Sequence, residues 1–180
     1  MPLSAAGVGY VPLVERGRIV VLNGPSSAGK STTAAAFQAL MPGPWWHTGM
    51  DALSAMLPPD EAKRAMCGTE RFVTALHRFV ADLAWRGHDV IYETGFLEAE
   101  WVEDFRGETE GLLVFPVEFE ISVEAVRTRE AQREDRPNGY SEASSPRLRR
   151  AFPEALWLDS ETLGPEERAS EIRAFVERAT

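Results

Sequence analysis

Residues Gly24-Pro25-Ser26-Ser27-Ala28-Gly29-Lys30-Ser31 place glycines, a lysine and a hydroxyl at the spacing G-x-x-x-x-G-K-[ST]. This combination suits phosphate. Glycines let the backbone curl so that successive N–H groups converge on phosphate oxygens at the positive end of a following helix. Lys30 adds a mobile point charge for the β- and γ-phosphates, and Ser31 an oxygen for Mg²⁺. Thr32 continues the run into the helix, and the whole segment from Gly24 to Thr32 is read as binding ATP. A chance match to this pattern is expected in about one chain in a hundred of this size. Only two of the 19 basic residues are lysines, and one of them falls at the required place.

Phosphoryl transfer also needs a group to take the acceptor's proton and cations to meet the moving charge. Asp51, beyond Trp45-Trp46-His47-Thr48-Gly49-Met50, is a candidate base, and equally a candidate helix N-cap. Glu93 ends a short β-rich run at an edge where open α/β sheets bind ligands. It suits Mg²⁺, directly or through water, or the acceptor; a capping or turn role is the plain alternative. Arg129, Arg133 and Arg136 share a helical face before Pro137. They suit a lid over about 127–145, with Arg133 and Arg136 on the transferring phosphoryl group and Arg129 on the nucleotide. A solvated, ion-paired face is the competing reading. Arg147, Arg149 and Arg150 read as surface residues, and His77 and His88 as surface or structural residues rather than ligands.

The elements that must position these groups alternate β-rich runs with helical periodicity, the pattern of an α/β fold with a mainly parallel sheet. Arg18–Asn23 is an apolar run suited to a strand covered on both faces. A helix follows over Lys30–Met41, then a short one over Asp51–Leu57. An amphipathic helix spans Thr69–Arg86 with Phe72, Leu76, Phe79, Val80 and Leu83 inward, closed by Gly87. Asp89–Glu93 is a strand, Glu98–Arg106 a helix, and Leu112–Ile121 a strand in which Pro116 suggests an edge or bulge. Ser122 opens a helix to about Asp135, Leu156–Asp159 is a last strand, and Pro165–Arg178 a closing helix with Ile172, Phe175 and Val176 inward.

With 180 residues, this is the size of one α/β domain: a loosely held extension over 1–17 and a single domain over 18–180. A net charge of −9 disfavours nucleic acid as a partner. The N-terminal stretch has neither the basic start of a signal peptide nor an apolar run long enough to span a membrane, and a single cysteine, Cys67, reads as a structural thiol. Cytoplasmic location is the default expectation. No Asn-Lys-x-Asp base-reading motif follows the loop, which disfavours a GTPase, and the chain is short for an ATPase motor.

These segments together resemble the chloramphenicol phosphotransferase family of P-loop kinases. The likeness runs through Ile19–Ser31, Met41–Trp45 with Gly49–Leu53, Gly87–Glu93, Arg129–Arg136 and Leu158-Asp159-Ser160. It implies a three-layer α/β/α P-loop fold of the nucleoside- and shikimate-kinase type, with a helical lid. It further implies O-phosphorylation of a small-molecule hydroxyl by ATP and Mg²⁺, with Asp51 as base and Arg133 and Arg136 as lid arginines. Antibiotic inactivation or natural-product metabolism is the expected setting. Departures lie at Glu93, where an aspartate is expected, at Glu134, and in a segment from Ser141 to Ala155 without histidine or tyrosine. A zeta-toxin-like or metabolic kinase for a nucleotide sugar, nucleoside or sugar acid is a second reading, and a nucleotide-binding regulatory protein a third.

Overall fold

The computed structural model describes residues 15–58, 60, 65–132, 148, 150 and 152–178. A five-stranded parallel sheet runs through it in the order β2-β3-β1-β4-β5. The strands are β1 (Arg18–Asn23), β2 (Trp45–Gly49), β3 (Asp89–Thr94), β4 (Leu113–Glu120) and β5 (Leu156–Asp159). The helices are α1 (Lys30–Leu40), α2 (Met50–Ser54), α3 (Glu70–Trp85), α4 (Ala99–Glu108), α5 (Val123–Glu130) and α6 (Pro165–Glu177).

The period of two along β1 explains the layers. Val20 and Leu22 point to one face, where they join Phe37 of α1 and Ile172 and Val176 of α6. Ile19 and Val21 point to the other, against Leu76 and Val80 of α3 and Phe105 of α4. A strand buried on both faces must be apolar through its middle, and β1 is so from Ile19 to Leu22. Each such side chain removed from water contributes about 1.5–3 kcal/mol before chain entropy is set against it.

Local chemistry sets the ends. Thr69 and Ser122 cap α3 and α5 by accepting from the N–H groups of Phe72 and Ala125. Pro165 opens α6 where its missing N–H has no cost. Residues at the start of the described chain are tied down: Gly17 N–H donates to Ala84 O at 2.8 Å, and Arg16 lies 4.1 Å over the Trp85 ring. The rest of the expected N-terminal extension, residues 1–14, lies outside the described residues.

Three expectations need correction. Pro116 does not mark an edge: β4 is interior, between β1 and β5. Pairing with β5 begins only at Val117↔Leu156, so on that side no ladder bond is due at Pro116. Phe79 is 44% exposed rather than inward, because the buried stripe of α3 passes through Val73, Leu76, His77, Val80 and Ala84. Helix α5 stops at Glu130 with Ala131 as its C-cap, short of Asp135.

Candidate active site

The carboxyl ends of β1, β2 and β3 open into a cavity of about 800 Å³. Its lining joins Gly24–Ser27 and Gly29–Thr32 to Asp51 and Glu93. Its lining also includes the apolar side chains of Met50, Leu97, Trp101 and Leu148.

The loop after β1 is built by two residues in left-handed backbone, Ser27 at φ 62° and Gly29 at φ 87°. For Gly29 the left-handed conformation favours glycine, and a Cβ there would stand 3.0 Å from an Arg168 nitrogen. Gly24 is required by a close approach, since a Cβ would stand 2.7 Å from that of Phe119 on β4. Ala28 is buried beneath the loop. Lys30 opens α1, and its ammonium donates to the carbonyls of Gly24 at 2.9 Å and Pro25 at 2.8 Å. Thr32 turns its hydroxyl to the carbonyl of Gly29 at 2.8 Å.

Glu93 stands beside the loop. One carboxylate oxygen accepts from Ser31 Oγ at 2.9 Å and the other lies 3.2 Å from His47 Nε2. Burial pushes this carboxyl up, but the His47 contact, the Lys30 charge and the Ser31 hydrogen bond outweigh it and hold the carboxyl below its ordinary value. An ionised carboxylate next to a hydroxyl oxygen is a hard oxygen pair of the kind Mg²⁺ takes alongside waters and phosphates. Among the described residues neither Glu93 oxygen caps a helix or a turn.

Asp51 lies in the first turn of α2, and Gly49 occupies the N-cap position with no side-chain cap. The N-cap residue of α2 is therefore Gly49 and not Asp51. Gly49 itself is needed because β2 runs so close to β3 that a Cβ would meet Glu93 O at 2.5 Å. That approach delivers Asp51 to the cavity that Lys30, Ser31 and Glu93 line.

Arg129, from α5, donates to Ser160 O at 2.6 Å and to Ser27 O at 3.5 Å, which places it against the loop. Arg133 and Arg136 lie outside the described residues, as do Arg147 and Arg149; Arg150 is exposed. Cys67 is half-buried on the cavity wall rather than in the core. His77 is fully buried, with Nδ1 2.6 Å from Asp104 and Nε2 without a partner.

Three residues escaped the motif reading. Asn23 is buried and joins three segments: it accepts from Phe96 N–H at 3.0 Å and donates to buried Glu118 at 2.8 Å. Arg168 is 3% exposed behind Gly29. His47 reaches Glu93 from β2. A buried amide, acid or guanidinium in sequence looks like any surface one; only an Asn directly before the glycine loop offered a cue.

A parallel sheet in the order 2-3-1-4-5 with a phosphate loop between its central strand and first helix defines a P-loop kinase of three-layer α/β/α build. The family description "Chloramphenicol phosphotransferase-like protein" matches residues 17–177, and the chain belongs to that family. It is accordingly a kinase acting on a small molecule. A Mycobacterium tuberculosis protein named "Putative O-phosphotransferase" is 32% identical over 154 residues, covering 72% of this chain and 68% of that one. Among solved structures, an APS kinase of M. tuberculosis in complex with AMPPNP and APS aligns with TM-score 0.70 at 22% identity, over 90% of this chain and 98% of that one. A gluconokinase of Sinorhizobium meliloti aligns with TM-score 0.66 at 19% identity, over 92% and 94%. No helix among the described residues is long and apolar enough to cross a membrane.

Proposed function

We propose that the protein transfers the γ-phosphoryl group of ATP to a hydroxyl of a small, largely uncharged molecule held beside Asp51. The observation that carries this reading is the single cavity that joins Lys30, Ser31 and Glu93 to Asp51 and to a wall of Met50, Leu97, Trp101 and Leu148.

In this reading the loop from Gly24 to Thr32 holds the triphosphate by its N–H groups. Lys30 leaves the Gly24 and Pro25 carbonyls for phosphate oxygens. Ser31 and Glu93 would hold Mg²⁺, whose charge offsets that of the phosphates. Asp51 accepts the acceptor's proton as the hydroxyl oxygen bonds to the γ-phosphorus. The bond from that phosphorus to the β-phosphate oxygen breaks, and ADP leaves. Arg129 faces the nucleotide, and Arg133 and Arg136 complete the charge around the transferring group from the lid.

The acceptor side of the cavity favours a neutral molecule. Its described lining adds no lysine or arginine to Lys30 and Arg129, both of which stand with the loop. A sugar acid or nucleotide sugar would call for more. Inactivation of a hydroxylated antibiotic or work on a natural product fits this wall, within the cytoplasm. An ATP-consumption screen over neutral hydroxylated antibiotics, nucleosides and sugar acids tests it, with Lys30→Ala as the blank. The expected result is turnover on a neutral, apolar-faced alcohol. Turnover confined to sugar acids or nucleotide sugars would overturn the acceptor assignment.

A further inference from the structure

Two guanidinium groups meet at the phosphate loop, Arg129 on the cavity lining and Arg168 buried behind Gly29. Arg129 and Arg168 donate to the same carbonyl, Ser160 O, at 2.6 Å and 3.3 Å. Arg129 also reaches Ser27 O, and Arg168 packs against Gly29 with its guanidinium carbon 5.8 Å from the Phe119 ring centroid. Neither forms an ion pair with a carboxylate among the described residues. Glu166, exposed on the same helix, is the acid whose field reaches Arg168. The Nε of Arg168 and the hydroxyls of Ser27 and Ser160 are buried without hydrogen-bond partners among the described residues.

Such an arrangement is costly in the free protein. A buried charge that lacks a counter-ion loses its hydration without a matching attraction. Burial and the neighbouring Arg129 both push the Arg168 guanidinium down from its ordinary range. A leucine or methionine would fill the same space under Gly29 without this penalty. What would offset the charge is an anion on the other side of the loop, through one peptide layer of low dielectric.

We propose that Arg168 is a nucleotide-positioning residue whose positive charge, buried behind Gly29 and beside Arg129, is matched by the phosphates of the bound nucleotide. The inference rests on the reading of Gly24–Thr32 as the nucleotide site and adds to it a residue outside the motif. It gives the free protein a built-in instability at the loop that ATP relieves.

The test compares wild type with Arg168→Met and Arg168→Lys by thermal unfolding and by calorimetric titration with ATP, ADP and adenosine in the presence of Mg²⁺. Arg168→Met is expected to unfold at the same or a higher temperature without nucleotide, and to bind ATP and ADP about tenfold more weakly. Adenosine, which lacks phosphates, should bind both proteins alike, and Arg168→Lys should recover most of the ATP affinity. An Arg168→Met protein that binds ATP as tightly as wild type, or, where that variant fails to fold, an Arg168→Gln protein that does so, would reduce Arg168 to a structural residue and overturn the proposal. Equal losses for adenosine and ATP would overturn it too, by assigning Arg168 to the base. Lys30→Ala separates the two levels: if it binds ATP as wild type does, or if wild type binds none, the nucleotide reading itself fails.

Discussion

Glu93 shows how a side chain's surroundings decide its chemistry. A carboxylate that holds Ser31 and His47 while facing Lys30 stays ionised to lower pH than a free glutamate. Its folded value is depressed, so its contribution to stability is complete above about pH 4.5 and is lost as the pH falls through that depressed value. Glu93→Gln should therefore flatten the acid side of a stability-versus-pH curve, read by denaturant midpoint, and should raise the Mg²⁺ concentration needed for turnover several-fold. An unaltered Mg²⁺ requirement would remove Glu93 from the metal. Lys30, Ser31 and Glu93 were legible because each is anchored to a local pattern, the loop or the end of a strand. Arg168 and Glu118 were not: Glu118 meets Asn23 across 95 residues, and nothing local distinguishes a buried acid from a solvated one.

Among the elements, β2 and α2 decide whether Asp51 reaches the loop. Gly49 is extended, at φ 178°, so its need for glycine comes from space and not from backbone handedness. Gly49→Ala should cost about 1–3 kcal/mol, measured by denaturant unfolding, because the new methyl must push β2 off Glu93 O. Activity should fall further than stability does, since Asp51 and Glu93 move together. A variant of full activity would mean that the β2–β3 approach does not position the base. The order of strands and helices could be read from apolar periodicity, which is strong in β1 and α3. Pro116 and Phe79 could not, because each depends on a neighbour in space: the late start of β5 for one, the rotation of α3 against the sheet for the other.

The molecule as a whole is two apolar layers divided by the sheet, and the layer under α3 and α4 hides a titratable group. His77 sits among Tyr92, Phe96 and Phe105 and, among the described residues, bonds only Asp104. Burial holds its imidazole below the ordinary value, against the pull of Asp104, so the folded protein takes up a proton there less readily than the unfolded chain does. The unfolded chain takes up a proton below about pH 6.5, and stability is therefore full above that pH and declines beneath it. His77→Phe should remove that decline between about pH 6.5 and 5 in thermal scans; an unchanged slope would place the titration elsewhere. Neither the layer nor the histidine bears on the chemistry directly, yet together they hold β3 and so Glu93.

Phosphoryl transfer from ATP with Asp51 as base is tested most directly by following label from γ-labelled ATP onto an acceptor identified in the screen, for wild type and Asp51→Asn. The expected result is a phosphorylated hydroxyl formed one-for-one with ADP. Asp51→Asn should lower its rate by about 10²–10⁴-fold while binding ATP as tightly as wild type. ADP formed with no labelled acceptor, or an Asp51→Asn protein as fast as wild type, would contradict it.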